Sequence, residues 1–335
     1  TALRTDGRVT LAPEGVRGGP TTAYLRGTLH LGDELGATNL EMRLAPLNFG
    51  LADLVRSGLA PPGSGRAMIT ASGRLSRGMQ VVADVTHGPD SVASRAVARG
   101  SVQRGAGGSW TLDLLTDLRP LSLDLISGLA PRAGLGGSVR GSVRTVGRLD
   151  SLRVIGHVQV AGGELDVDAG INLLAPDAFY RLDAELRQVG LSDVTHLLPA
   201  PSVWSGRVVG QGTGFGLDSV DLRAEVSASA SRIGGLHVDS LEARVRAHAG
   251  LLTVDTVDAW LGGVQVRGSG SLGLLGAYDG EAHLAVRAES LEGLRPLVLG
   301  DTVIVADTLT VMERELLRCE GLEPDTVPDL GEVGL

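Results

Sequence analysis

The chain has 335 residues, 43% of them hydrophobic, 21% charged and 3% aromatic, a globular composition long enough to bury a sizeable core. Glycine supplies 49 residues without a three-residue period, which excludes collagen, and all 30 basic residues are arginine, which removes Schiff-base, P-loop-lysine and lysine-base chemistry. A formal net charge of −9 gives no cationic surface for phosphates, so nucleic acid is not an expected partner.

Along the chain, the dominant signal is a period of two. Residues 152 to 160 alternate apolar and polar, and the turn cluster Ala161-Gly162-Gly163 follows. In 219 to 229, Val220, Leu222, Ala224, Val226 and Ala228 share one face while Asp221, Arg223, Glu225 and Ser227 share the other, the pattern of a half-buried strand. Leu241, Ala243, Val245 and Ala247 repeat it in 241 to 248, as do Ala282, Leu284, Val286 and Ala288 in 281 to 289. Glycine-rich clusters at 105 to 109 and 276 to 280 suit hairpin reversals. An antiparallel, meandering all-β sheet is expected.

A long internal repeat overlies the strands. Copies start near Gly27, Gly100, Gly170 and Gly270 and lead to Asp53, Asp124, Asp193 and Glu292, acidic positions expected to open short helices or turns. The last interval is longer by about one hairpin, placed at 235 to 262. Residues 1 to 307 therefore read as one repetitive β segment, and 308 to 335 as an acidic tail or linker with a helix-like stretch at 311 to 317. Residues 311 to 335 alone hold seven acidic residues against two arginines, which is five of the nine net negative charges. The chain begins at Thr1 and contains no apolar run long enough to span a bilayer, so it reads as a segment of a longer protein.

The search for chemistry is negative. Gly268-Ser-Gly270-Ser-Leu-Gly273 matches a dinucleotide fingerprint but no helix pattern follows it, and the glycine run from Gly210 to Gly216 reads as strand twist or turn. The seven histidines are scattered, Cys319 is the single cysteine, and Asp166 with Asp168 lacks a glycine-centred calcium loop. No catalytic residue, cofactor or metal ligand is assigned, and an enzyme is not expected.

The apolar face of such a sheet needs a cover, since an exposed valine or leucine costs about 1.5–3 kcal/mol relative to burial. A second sheet, a membrane around a barrel, or lipid along a trough would each serve, and the barrel is disfavoured by the scarcity of aromatic residues for its girdles. The phrasing of the hairpins, in Leu-Asp-Ser-Leu-Arg-Val (149 to 154), Leu-Asp-Ser-Val-Asp-Leu (217 to 222), 235 to 245, 250 to 255 and 261 to 272, resembles that of AsmA/TamB-type repeat proteins of Gram-negative envelopes. That resemblance implies an elongated, curved, taco-like groove of antiparallel hairpins with short helical punctuations. It also implies a periplasmic location within an inner-membrane-anchored protein. Phospholipids would be the cargo moved toward the outer membrane, with outer-membrane assembly proteins as further partners. Acyl chains would then lie on faces exemplified by Val220, Leu222, Val226, Leu241, Val245, Leu284 and Val286. The alternative is a structural or adhesive β-solenoid whose core is filled and holds no ligand.

Overall fold

A computed structural model describes residues 2–11, 19–32, 34–50, 63–88, 94–105, 107–123, 125, 135–175, 177–195, 201–214, 219–234, 236–274 and 279–288. Seventeen strands make one sheet. In chain order they are β1 (Ala2–Leu11), β2 (Thr21–His30), β3 (Gly36–Asn48), β4 (Ser64–Arg74), β5 (Met79–His87) and β6 (Ser94–Arg104). Next come β7 (Trp110–Ser122), β8 (Ser138–Arg148), β9 (Ser151–Val160), β10 (Gly163–Ile171), β11 (Tyr180–Gly190) and β12 (Ser202–Thr213). The series closes with β13 (Asp221–Ile233), β14 (Leu236–His248), β15 (Leu251–Leu261), β16 (Val264–Gly273) and β17 (Gly280–Ala288). A four-residue helix, α1 (Leu191–Val194), follows β11, and a 3-10 turn occupies Leu75–Arg77.

Each strand pairs with the next in sequence, and every ladder among the described residues is antiparallel. The result is an all-β, elongated, open and curved meander of hairpins. The segments read as strands from their alternation lie in β9, β13, β14 and β17, and 161–162 form the tight turn between β9 and β10. Residues 236–261, where the longer repeat interval was expected, fold as the hairpin β14–β15. Asp193 lies in α1, the expected short helix, whereas Asp53, Asp124, Glu292 and the whole of 308 to 335 lie outside the described residues.

The first two repeat copies share backbone detail. Gly27 and Gly100 have φ of +140° and +149°, and the backbone amides of Asn48 and Ser122 donate to the hydroxyls of Thr21 and Ser94, both at 2.9 Å. At Gly100 a Cβ would lie 1.9 Å from the carbonyl oxygen of Asp113, so only glycine lets β6 approach β7 there. Extra residues along strands are absorbed at bulges. Asn39 (φ +46°) and Gln188 (φ +53°) sit within register shifts, and their amides donate to Ser72 Oγ at 3.1 Å and Ser205 Oγ at 3.0 Å.

Two clusters of buried hydrophobic residues lie toward strand ends. One cluster joins Leu123, Val139, Val158, Val160 and Val189, with Leu135, Leu191 and Val194 packed on it from the β7–β8 and β11–β12 connections. A second joins Ala23, Leu44 and Ala67. Closing the left-handed position at Gly100 should therefore hurt more than filling an open one. Gly100→Val is expected to cost about 1–3 kcal/mol. Gly170→Ala, whose added methyl meets nothing within 4 Å, should leave stability unchanged or slightly raised. Urea unfolding followed by circular dichroism checks both.

Candidate functional site

The registers assign every strand residue to one of two faces. On the β13–β14 ladder Leu222 opposes Ala247, Ala224 opposes Val245, Val226 opposes Ala243 and Ala228 opposes Leu241. Between them Arg223 opposes Arg246, Glu225 opposes Arg244 and Ser227 opposes Glu242. Directly opposed residues share a face, so apolar stays with apolar across the ladder.

Following the pairs outward extends the same face over the whole sheet. Through β15 and β16 it carries Leu252, Val254, Val257, Ala259, Val266 and Leu272, and on β17 it carries Ala282, Leu284 and Val286. In the other direction it runs through Val208, Leu182, Val167, Val154, Val143 and Leu114. It continues through Ala98, Ala83, Ile69, Met42, Leu25 and Gly7 to β1. Among the paired residues on this side there is no aspartate or glutamate, and one arginine, Arg104, whose guanidinium lies over the ring of Trp110 at the end of β6.

Six of the seven predicted contact residues fall here. Leu222, Val226, Leu241, Val245, Leu284 and Val286 are on the uncharged face within strands, and Val220 is half-buried in the residue pair just before β13. Leu284 and Val286, on the last strand, are 52% and 42% exposed. Single residues of alternating segments pointed to the C-terminal half only. The equivalent side chains of β2 to β11 were missed, although Thr-Leu-Asp-Leu at 111 to 114 carries the same alternation.

Glycine is concentrated on this side, with Gly100, Gly141, Gly156, Gly206, Gly210, Gly212, Gly268 and Gly270 all on it. Small side chains on one face and long arginines and carboxylates on the other leave less volume on the glycine side, and a sheet so built curls toward it. Fully or nearly buried alanines such as Ala184, Ala224, Ala228 and Ala259 line the same side, as the inside of a curved sheet requires.

The opposite face holds the charge, organised as cross-strand pairs. Arg95 grips Asp84, Arg153 grips Asp168 and Arg207 grips Asp183, each through two nitrogens with the shorter contact at 2.5 Å. Arg187 joins Asp166, Glu164 and Glu185, and His157 Nδ1 lies 2.5 Å from Asp166. Asp166 and Asp168 are thus occupied by cations of this chain, and the described residues contain no group of three or more metal-ligating side chains. Gly268 to Gly273 lie inside β16, so the fingerprint match is an extended strand and not a phosphate loop. Open depressions on this charged side, such as the one lined by Arg144, His157, Asp168, Asp183 and Arg207, are the spaces between these long side chains.

Hydrogen bonds from Arg95, His157, Arg153 and Arg207 hold the carboxyls of Asp84, Asp166, Asp168 and Asp183 below the ordinary aspartate range. A depressed carboxyl favours the folded state above its unfolded value and loses that contribution as pH falls through its folded one. Stability should therefore be flat from about pH 7 to 5 and fall below about pH 4. Urea midpoints across that range check this, and a loss already complete by about pH 5 would overturn it.

No family model matches the chain, and neither the curated proteins nor the solved structures contain a match. Among the described residues no helix is long and apolar enough to cross a membrane.

Proposed function

We propose that the uncharged face binds phospholipid acyl chains and conducts them along the sheet, with no chemical step. The chain would act as a segment of an envelope-spanning periplasmic protein that moves lipid between the inner and outer membranes, and outer-membrane assembly proteins would be its further partners. The observation carrying this reading is a face that over seventeen strands pairs no Asp or Glu and a single Arg, Arg104 at the end of β6, with no second described sheet packed on it.

Magnitudes support a long apolar cargo. Sixteen inter-strand intervals of about 4.8 Å make the face roughly 75 Å long, and strands of 9 to 13 residues make it about 30–40 Å wide. That is on the order of 2,000 Å², against about 300–600 Å² for the largest apolar patch of an ordinary monomer. An acyl chain reaching the middle of a bilayer core spans about 15 Å, so several fit side by side. Charged side chains on the outer face and at the rims leave water available to head groups, which need not enter the groove. A filled parallel solenoid, the other reading of the repeat, finds no parallel ladder among the described residues.

The test is native mass spectrometry of the chain purified after exposure to membrane extract, with released lipids identified after denaturation. Bound phospholipid is expected, and Leu222→Asp with Leu284→Asp should lower its occupancy at least about tenfold, because each change places an unpaired carboxylate against hydrocarbon. Circular dichroism must remain that of the parent. Protein that is folded and lipid-free, or lipid binding indifferent to both changes, overturns the proposal.

A further inference from the structure

One side chain breaks the rule of the apolar face. Arg104 ends β6 on that side, directly opposite Trp110 at the start of β7, and its guanidinium carbon lies 5.6 Å from the centre of the indole ring. Among the described residues it has neither an ion pair nor a side-chain hydrogen bond. On the other face of β6, β7 and β8, by contrast, Arg99 and Arg119 share Asp117, and Arg144 pairs with Asp113. A guanidinium carries five N–H donors, and an aromatic face attracts its charge without accepting them all, so the fork of Arg104 is left for an anion.

The two rims of these strands differ. At one, β6 and β7 are joined by the short turn 105–109, where the Gly105 amide donates to the Ser109 carbonyl at 2.8 Å, and Trp110 beside it is 37% exposed. At the opposite rim Leu123, Val139, Val160 and Val189 are buried, with Leu135, Leu191 and Val194 packed on them. The apolar face is thus closed by hydrocarbon at one end of its strands and carries an indole and an unpaired cation at the other. Inward from Arg104 and Trp110 it continues through Val102 and Leu112, then Gly100 and Leu114. An acyl chain of about 15 Å covers four to five residues of strand, so one that starts at this rim lies wholly on that face.

We infer that Arg104 and Trp110 hold the phosphate of an anionic phospholipid whose acyl chains lie inward along β6 and β7. The inference rests on the acyl-binding reading above and adds to it a fixed end and a preferred head group. Arginine presents parallel N–H donors that match two oxygens of a phosphate, and the exposed rim leaves the remaining oxygens to water, so no anion has to be buried. An indole suits the boundary beside it, with its ring against the glycerol and first methylenes and its N–H toward water. A soluble phosphate would meet the same fork, but only a lipid also covers Val102 and Leu112.

The test is native mass spectrometry after incubation with detergent micelles holding equal amounts of phosphatidylglycerol and diacylglycerol with the same acyl chains. Diacylglycerol lacks the phosphate, so its binding reports the apolar face alone. The parent should favour phosphatidylglycerol, and Arg104→Gln should lower the ratio of bound phosphatidylglycerol to bound diacylglycerol at least about tenfold, since a charge-assisted contact is lost. Arg148→Gln removes an equal charge from the same rim but from the outer face, where Arg148 pairs with Asp150, and should leave the ratio unchanged. A ratio indifferent to Arg104→Gln, or lowered as much by Arg148→Gln, overturns the inference and leaves acyl binding standing. A parent that takes up neither lipid overturns both. Glycerol 3-phosphate at millimolar concentration should not displace phosphatidylglycerol, and displacement would assign the fork to a soluble phosphate and overturn the lipid assignment.

Discussion

Everything in this molecule depends on keeping one parity through sixteen antiparallel ladders. A strand turns successive side chains to opposite faces, so a slip of one residue anywhere would carry Arg, Asp and Glu onto the apolar side of the slipped strand. With no second layer among the described residues to correct the error, the register itself must be specified by the chain. Opposite-charge pairs do part of this on the outer face: Arg153 with Asp168 and Arg207 with Asp183 each tie adjacent strands at one setting. Such exposed pairs add little stability individually, and their value here is as markers of correct alignment.

Where the chain carries a residue too many for strict alternation, the backbone absorbs it. Asn39, Gln188 and Ala230 adopt left-handed φ within bulges, after which the apolar residues resume on the same side. Serine hydroxyls on the neighbouring strand accept the amides of Asn39 and Gln188, so the interruption leaves those donors satisfied. Glycine acts with the bulges. At Gly100 and Gly141 it permits both left-handed φ and close strand approach, and on the uncharged side generally it gives the sheet room to curl.

The curved sheet is an arrangement in which hydrophobic burial is incomplete by construction. The buried clusters sit at strand ends around Val139, Val158, Val189 and around Ala23, Leu44, Ala67, while mid-strand leucines and valines are only half-buried. Stability therefore comes chiefly from ladder hydrogen bonds, cross-strand contacts and these rims, with each hairpin resting on its sequence neighbours as in other repeat architectures. A surface left half-open along its whole length is suited to a partner that is itself long, apolar and without a fixed shape.

The fold class and the existence of an uncharged face were legible in the amino-acid order because both rest on a local rule, the period of two. Segments such as 219 to 229 state that rule without interruption, and they alone place Leu222 opposite in sense to Arg223. Of the four glycines read as repeat starts, Gly27 and Gly100 share a left-handed φ that explains why glycine stands there, whereas Gly170 and Gly270 do not adopt it. What the order of residues left open is how far the face extends, because bulges at Asn39, Gln188 and Ala230 break the alternation locally while preserving it in space. Parity across a bulge is decided by the neighbouring strand's hydrogen bonds, and those exist only once the sheet has formed. For the same reason Arg187, which reaches three carboxylates on β10 and β11, became visible only in the tertiary structure.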